Sequence, residues 1–250
     1  MAVTIKSERE IDLMRKSGKL LAKVHDELGQ AIRPGMSTLD IDRLGEKLIR
    51  GLGCVPNFLH YNGYPASICV SVNDEVVHGI PTSERILQEG DIVSLDAGLI
   101  YKGYHSDAAR TYGVGKISEE AQKLIDATRN SFFEGIKQAK AGNHLHDISN
   151  AIDAYISQYG YGIVTDLVGH GIGTALHEDP QIPNFAQRRR GIKLQPGMTL
   201  AIEPMINMGR PDVEWLDDDW TVVTEDGSLS AHYENTVLIT DGEPEILTLL

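Results

Sequence analysis

The chain has 250 residues and a mass of 27.5 kDa, with 41% hydrophobic and 24% charged residues. These proportions fit a globular chain with a sizeable core and exclude disordered, collagen-like and coiled-coil classes. Lys and Arg number 23 against 36 Asp and Glu, a net charge of −13, which argues against a surface that coats nucleic acid, since phosphate binding needs clustered positive charge.

No apolar run approaches the ~20 residues of a membrane span. The opening MAVTIKSEREID lacks an apolar signal core. A cytoplasmic protein without membrane or DNA partners is expected, with Cys54 and Cys69 as free thiols. Ser7 followed by Glu10 reads as a capping box. Ile11, Met14, Gly18, Leu21, Val24 and Leu28 then mark one helical face until Pro34-Gly35. A second helix is expected from about Thr38 to Gly51, on a stripe of Ile41, Leu44 and Leu48. Strands are expected over 68–72, 92–100 and about 104–114. The order then repeats: helices over 118–139 and 147–159, then strands near 162–167, 199–207, 221–224 and 232–240. Two rounds of helix, helix and strands predict an α+β fold with internal duplication, a shared central sheet and outer helices. A single domain over 1–250 is expected, with pseudo-halves of about 1–115 and 116–250.

The informative residues are acids inside apolar text. Asp96 lies in DIVSLDAGLI, and Asp is disfavoured in strands and rarely buried unpaired. Asp107 follows in GYHSDAARTY. A hairpin turn centred near position 101.5 would set the two acids directly opposite each other, where they repel unless a cation or proton lies between them. The structural alternative pairs Asp107 with Arg110 and makes Asp96 a turn cap. Glu203 in TLAIEPMINM and Glu234 in SAHYENTVLIT also sit in core-like text, where an arginine partner is the alternative to a metal. Burying four such acids without matched cations is costly, and one or two divalent ions relieve that cost together.

His170 stands among Gly169, Gly171 and Gly173, where bare backbone passes close to a ligand or to the sheet. His177 follows, without the spacing or glutamate of the helical zinc motif. Beside four acids, His170 is a candidate ligand; His78 in NDEVVHGIP is by itself a weak signal. One imidazole with four carboxylates is a hard donor set suited to manganese, iron(II), cobalt or magnesium. Two such ions can bridge a water, lower its pKa and polarise a carbonyl, which points to amide or ester hydrolysis.

The order Asp96, Asp107, His170, Glu203, Glu234, set in NDEVVHGIP, GHGIGTALHEDPQIPNF, LQPGMTLAIEPM and SAHYENTV, closely resembles the type I methionine aminopeptidases over residues 7–249. The resemblance implies the pita-bread fold, an α+β architecture with pseudo-twofold internal duplication, a central antiparallel sheet and outer helices, and it implies removal of the initiator methionine from nascent polypeptides whose second residue is small. It implies two divalent ions, with cobalt, manganese or iron(II) expected, held by Asp96, Asp107, His170, Glu203 and Glu234. Asp107 and Glu234 would bridge both ions, Asp96 would bind one, and His170 with Glu203 the other. Glu203 is implied as general base, and His78 and His177 as contacts to the scissile peptide and the tetrahedral intermediate. Tyr61, Tyr64, Cys69 and Trp220 match the lining of a methionine pocket, whereas Leu176 stands where the family often has phenylalanine and Phe58 where some bacterial members have cysteine. Only 25 residues separate His177 from Glu203, too few for the helical insertion of the type II enzymes. The rival readings are a Xaa-Pro aminopeptidase or prolidase, which usually carries a further N-terminal domain, and a binding protein on the same fold, which typically loses ligands.

The expected partners are nascent polypeptide N-termini, met by a monomer. Arg188, Arg189 and Arg190 with Lys193 read as a solvated basic loop or as a transient ribosome contact. Asp212, Glu214, Asp217, Asp218 and Asp219, beside Trp215 and Trp220, read as a solvent-facing loop near the pocket rim. His25, His60, His144 and His146 read as surface or structural. Ala2 is small, so the chain's own Met1 is expected to be removable.

Overall fold

The helices begin where the capping chemistry places them. In the computed structural model, which describes residues 3–250, α1 (Glu8–Ala31) starts after Ser7, whose N–H donates to Glu10 Oε2 at 2.8 Å. Helix α2 (Thr38–Gly51) repeats the device: Ser37 N–H donates to Asp40 Oδ2 at 3.0 Å, and Ser37 Oγ accepts from Asp40 N–H at 3.1 Å. Helix α3 (Glu119–Ile136) ends before the expected 139, where the chain tightens into i to i−3 bonds, from Gln138 N–H to Gly135 O and from Ala139 N–H to Ile136 O, both at 2.9 Å. Helix α4 (Leu145–Ile156) begins two residues before Asp147, which is the capping acid of its first turn and accepts from His144 N–H at 2.9 Å. Met1 and Ala2, with the expected loss of Met1, lie outside the described residues.

Among the described residues all strand pairs are antiparallel and fall into four sheets. In the first half, Ile92–Tyr101 pairs with Tyr104–Gly113 on one edge and with Ile68–Val72 and Val55–Pro56 on the other. Helices α1 and α2 cover this sheet through Leu21, Val24, Ile41 and Ile49, which pack on Leu95 and Leu99. In the second half, Phe132, Ile148 and Ile152 of α3 and α4 pack on Leu200, Ile202 and Val237.

Two expected strands are broken, and both breaks carry a candidate ligand. The expected strand 199–207 is Thr199–Ile202 in a five-stranded sheet and Met205–Asn207 in a three-stranded one, interrupted at Glu203-Pro204. Pro204 has no N–H for a ladder, so the chain changes sheet there. The expected 232–240 is likewise Ser230–His232 and Asn235–Leu238, interrupted at Tyr233-Glu234. These two segments accompany each other across the switch, with Asn235 opposite Ile202 and Met205 opposite His232. Of the expected 162–167 only Gly162–Ile163 is ladder-paired. Short pieces such as Glu75–Val77 and Gly169–Gly171 show too few alternations for a period-two reading.

The hairpin register corrects one expectation. The turn is Lys102-Gly103, at φ +50° and +84°, with Tyr101 opposite Tyr104. Two consecutive positive φ values suit a two-residue turn that follows the strand twist. Asp96 therefore faces Ala109, and Asp107 faces Gly98. The acids are diagonal rather than opposite, but the two-residue offset keeps both on one face.

The halves meet along a seam between Tyr104–Gly113 and residues 232–236. Ala109 and Glu234 exchange backbone hydrogen bonds, at 3.4 Å from Ala109 N–H and 3.0 Å from Glu234 N–H. Two residues either way, threonine hydroxyls replace the direct bonds. Thr236 Oγ1 accepts from Asp107 N–H and donates to Asp107 O, both at 2.9 Å. Thr111 Oγ1 does the same for His232, again at 2.9 Å each. Asp107 and Glu234 thus lie on the two strands of the seam.

Candidate active site

Each candidate ligand is placed by a backbone feature already described. Asp96 and Asp107 share one face of the hairpin, Glu203 and Glu234 mark the two sheet switches, and His170 lies mid-strand in Gly169–Gly171. The structure brings all five to one cavity of about 260 Å³. Asp107, His170 and Glu234 are buried, and each places one donor atom within 4.8 Å of the others. His170 Nε2 lies 3.9 Å from Asp107 Oδ2 and 3.7 Å from Glu203 Oε1. Those gaps are too long for hydrogen bonds and short enough for donors sharing one cation. His170 Nδ1–H donates to Gly171 O at 2.9 Å, which leaves the Nε2 lone pair facing the acids.

The electrostatics fit a divalent cation. Burial, then the charge of Asp96 and of Glu203, pushes Asp107 well above the usual carboxylate range. Burial, then Asp107, does the same to Glu234. Burial raises Asp96 to about 7 and Glu203 to about 8. Asp96 Oδ1 and Glu234 Oε1 are buried atoms without a hydrogen-bond partner. Among the described residues no Lys or Arg side chain forms an ion pair with these four acids. Arg110, the alternative partner of Asp107, turns away from it. Its guanidinium donates to the carbonyls of Glu234, Ala109 and Thr248 and to Asn235 Oδ1, and lies 4.4 Å from the Tyr233 ring centroid. Buried carboxylates in this state bind protons, or a cation that replaces them.

Around these acids lie the other expected residues. His78, His177, Tyr61, Tyr64, Cys69 and Trp220 all line the cavity, as do Phe58 and Leu176. Trp220 stands edge-on to Tyr64, with centroids 5.1 Å apart, and to His78 at 6.3 Å. Tyr64 is fixed from behind, its hydroxyl donating to Gly79 O at 2.8 Å. His177 is exposed at the rim, its ring 4.3 Å from that of His170, with Nδ1 2.8 Å from the Tyr61 hydroxyl. A hydroxyl that donates to Nδ1 leaves Nε2–H as a donor into the cavity.

His232 is the residue that sequence reasoning missed. It is buried, its Nε2 is 3.6 Å from Glu203 Oε2, and both ring nitrogens lack hydrogen bonds. With Val77, Leu167, Met205 and Glu203 it lines a second, smaller cavity of about 120 Å³, which also touches His78 and His177. The signal was its position two residues before Glu234, on the same side of extended backbone. The acidic loop is exposed at the rim, where Asp218 accepts from Trp220 N–H at 2.9 Å and Thr221 N–H at 2.7 Å. Arg188, Arg189 and Arg190 are away from the cavity, with Arg190 paired to Asp147 at 2.9 Å. His25 is structural: buried, with Nε2 2.7 Å from Ala108 O.

Comparison with known proteins agrees with this geometry. Residues 12–241 match the family described as metallopeptidase family M24. A methionine aminopeptidase of Clostridium acetobutylicum is 53% identical over 247 residues, covering 99% of each chain. The crystal structure of a methionine aminopeptidase from Thermotoga maritima superposes with a TM-score of 0.97 at 44% identity, covering 100% of both chains. A Xaa-Pro dipeptidase from Bacillus anthracis superposes with a TM-score of 0.78 at 25% identity over 98% of this chain but only 61% of its own. On its sequence, its antiparallel α+β architecture and its cluster of four acids and a histidine, the chain belongs to metallopeptidase family M24 and is similar over its full length to the methionine aminopeptidases.

Proposed function

We propose that this protein is a metal-dependent aminopeptidase that removes N-terminal methionine from nascent polypeptides whose second residue is small. The observation that carries the reading is the cavity in which unpaired buried acids meet an aromatic, sulfur-containing pocket. Asp96, Asp107, His170, Glu203 and Glu234 would hold two divalent ions, with manganese, iron(II) or cobalt suited to the donor set. Such ions, when bound, lower the pKa of a water and polarise a carbonyl.

The chain's own residues supply the rest. Tyr61, Tyr64, Cys69 and Trp220 bind the methionine side chain, since an unbranched thioether packs well on aromatic faces and small soft groups. Glu203 takes the proton of the attacking water and passes it to the leaving amine; a carboxyl raised by burial is suited to both halves of that transfer. His78 and His177 donate to the carbonyl oxygen as it gains charge. The second cavity, walled by Val77, Leu167, Met205 and His232, is the place for the second side chain, and its volume of about 120 Å³ favours small residues.

Hydrolysis of Met-Ala-Ser, Met-Leu-Ser and an Xaa-Pro peptide tests the reading, using metal-stripped protein with each ion added back. Metal-dependent release of methionine from Met-Ala-Ser is the expected result. Cleavage of the Xaa-Pro peptide instead would move the chain to the prolidase branch, whose members share the fold. A cytoplasmic site of action follows from the nascent-chain substrate. Cosedimentation with ribosomes, with and without Arg188→Ser and Arg189→Ser, tests the transient ribosome contact.

A further inference from the structure

The segment before α1 belongs to the opposite half of the molecule. Lys6 N–H donates to Gly197 O at 2.8 Å. The Lys6 side chain is 6% exposed and its Nζ meets Glu178 Oε2 at 2.6 Å; the Glu178 side chain is 9% exposed. Thr4 Oγ1 donates to the same carboxylate oxygen at 2.6 Å and accepts from Lys6 Nζ. The other oxygen, Oε1, accepts from Thr174 N–H at 2.9 Å and Ala175 N–H at 3.3 Å. One carboxylate therefore ties residues 4–6 to the loop that ends in His177. A Cβ on Gly173 would lie 2.6 Å from Glu178 Oε1 and 2.8 Å from Lys6 Nζ, so position 173 is bare where the pair passes.

Beside these bonds the tip has the buried Leu176 side chain and one internal bond, from Gly173 N–H to Ala175 O at 3.1 Å. Ile172 N–H donates to Thr199 O at 3.1 Å and His105 N–H donates to Gly173 O at 2.8 Å, both at the start of the loop. Thr174, Ala175 and His177 are exposed. Exposed side chains on loops are mobile unless backbone bonds and neighbours hold them. A nearly enclosed ion pair differs from a surface one: losing either partner strands a charge and frees what it held.

We propose that Lys6 and Glu178 are positioning residues for His177, so that the N-terminal segment is a working part of the active site. The proposal rests on the reading that His177 contacts the substrate. The ion pair fixes the loop backbone, the Tyr61 hydroxyl fixes the ring, and together they aim Nε2 at the scissile carbonyl.

The test compares K6M, K6R and E178Q, each alone and in an H177A background. In K6M and E178Q kcat should fall roughly tenfold or more, the scale of a misplaced contact, while KM and bound metal per chain stay as in wild type. K6R should recover most of the loss. Hydrogen exchange at the Thr174 and Ala175 amides should quicken in both slow variants. In the H177A background K6M and E178Q should cost nothing further, because the group they position is gone. Wild-type turnover in K6M and E178Q, while H177A alone is slow, would overturn the proposal. So would losses of equal size in both backgrounds, which would mark the pair as structural only. Wild-type turnover in H177A would instead remove the reading beneath it. E178Q keeps the size of the side chain and removes only its charge, so the test remains readable if K6M does not fold.

Discussion

Asp107 serves two structural ends at once: its carboxyl faces the cavity and its backbone is locked to Thr236. Asp107→Ala should abolish activity and weaken metal binding by more than the roughly 10–100-fold typical of supporting residues; calorimetric titration with manganese checks it, and wild-type turnover would refute the ligand set. Titration of the buried groups gives a second prediction. The acids bind protons more tightly in the fold, with Asp96 at about 7 and Glu203 at about 8 against 3.8 and 4.5 when unperturbed. The buried histidines do the reverse: His170 falls to about 3 and His78 and His232 to about 4, against 6.5. Between pH 4 and 6.5 the two sets oppose each other. Above 6.5 the histidines are neutral in both states, while the acids still hold protons only in the folded state. Stability of metal-stripped protein should therefore fall from pH 6.5 to 8. Bound metal needs the acids deprotonated, so added manganese should cancel the fall. Thermal melts across that range decide the matter, and a flat profile without metal would count against it.

At the scale of elements, two short features carry precision. The strand of His170 runs so close to Glu178–Ile182 that a Cβ on Gly171 would collide with the carbonyl oxygen of Asp179. Gly171→Ala should cost about 1–3 kcal/mol, the usual penalty of overpacking, and loosen metal binding by displacing His170. Chemical denaturation and metal titration of the same sample test both effects. The hairpin of Val213–Trp215 and Val222–Thr224 ends in Asp218, which holds Trp220 through backbone bonds. Asp218→Ala should raise KM for methionyl peptides, at about 0.5–1.5 kcal/mol per lost bond, with metal content unchanged. A change in kcat alone would argue that Trp220 does not hold the substrate.

For the whole molecule, the seam matters most. Asp96 and Asp107 come from the first half, and His170, Glu203 and Glu234 from the second, so a cation held by these five would tie the halves together. Metal binding should then raise global stability, by about 2.7 kcal/mol at a hundredfold excess over Kd. Thr236→Val removes the hydroxyl that both accepts from and donates to Asp107, leaving a buried N–H and C=O unpaired at about 1–3 kcal/mol each. Thr111→Val does the same at His232 but leaves Asp107 untouched. Both variants should melt earlier, and only Thr236→Val should also lose metal affinity; equal losses of affinity would show that the seam acts as one unit.

The sequence alone determined the four helices, because acids in the first turn and apolar stripes, joined by serine caps in α1, α2 and α3, are local signals. It also marked the acids, since an ionisable group in apolar text is costly wherever the chain goes. The diagonal offset of Asp96 and Asp107 required the hairpin register, which depends on the positive φ of Lys102 as well as Gly103. The breaks at Glu203 and Glu234 required the two sheets between which those segments pass. His232 and Lys6 were silent because their meaning lies in partners far along the chain, Glu203 for one and Glu178 for the other. Local chemistry fixes which residues are unusual. Only packing decides which of them meet, because burial removes the water that would otherwise keep their charges apart.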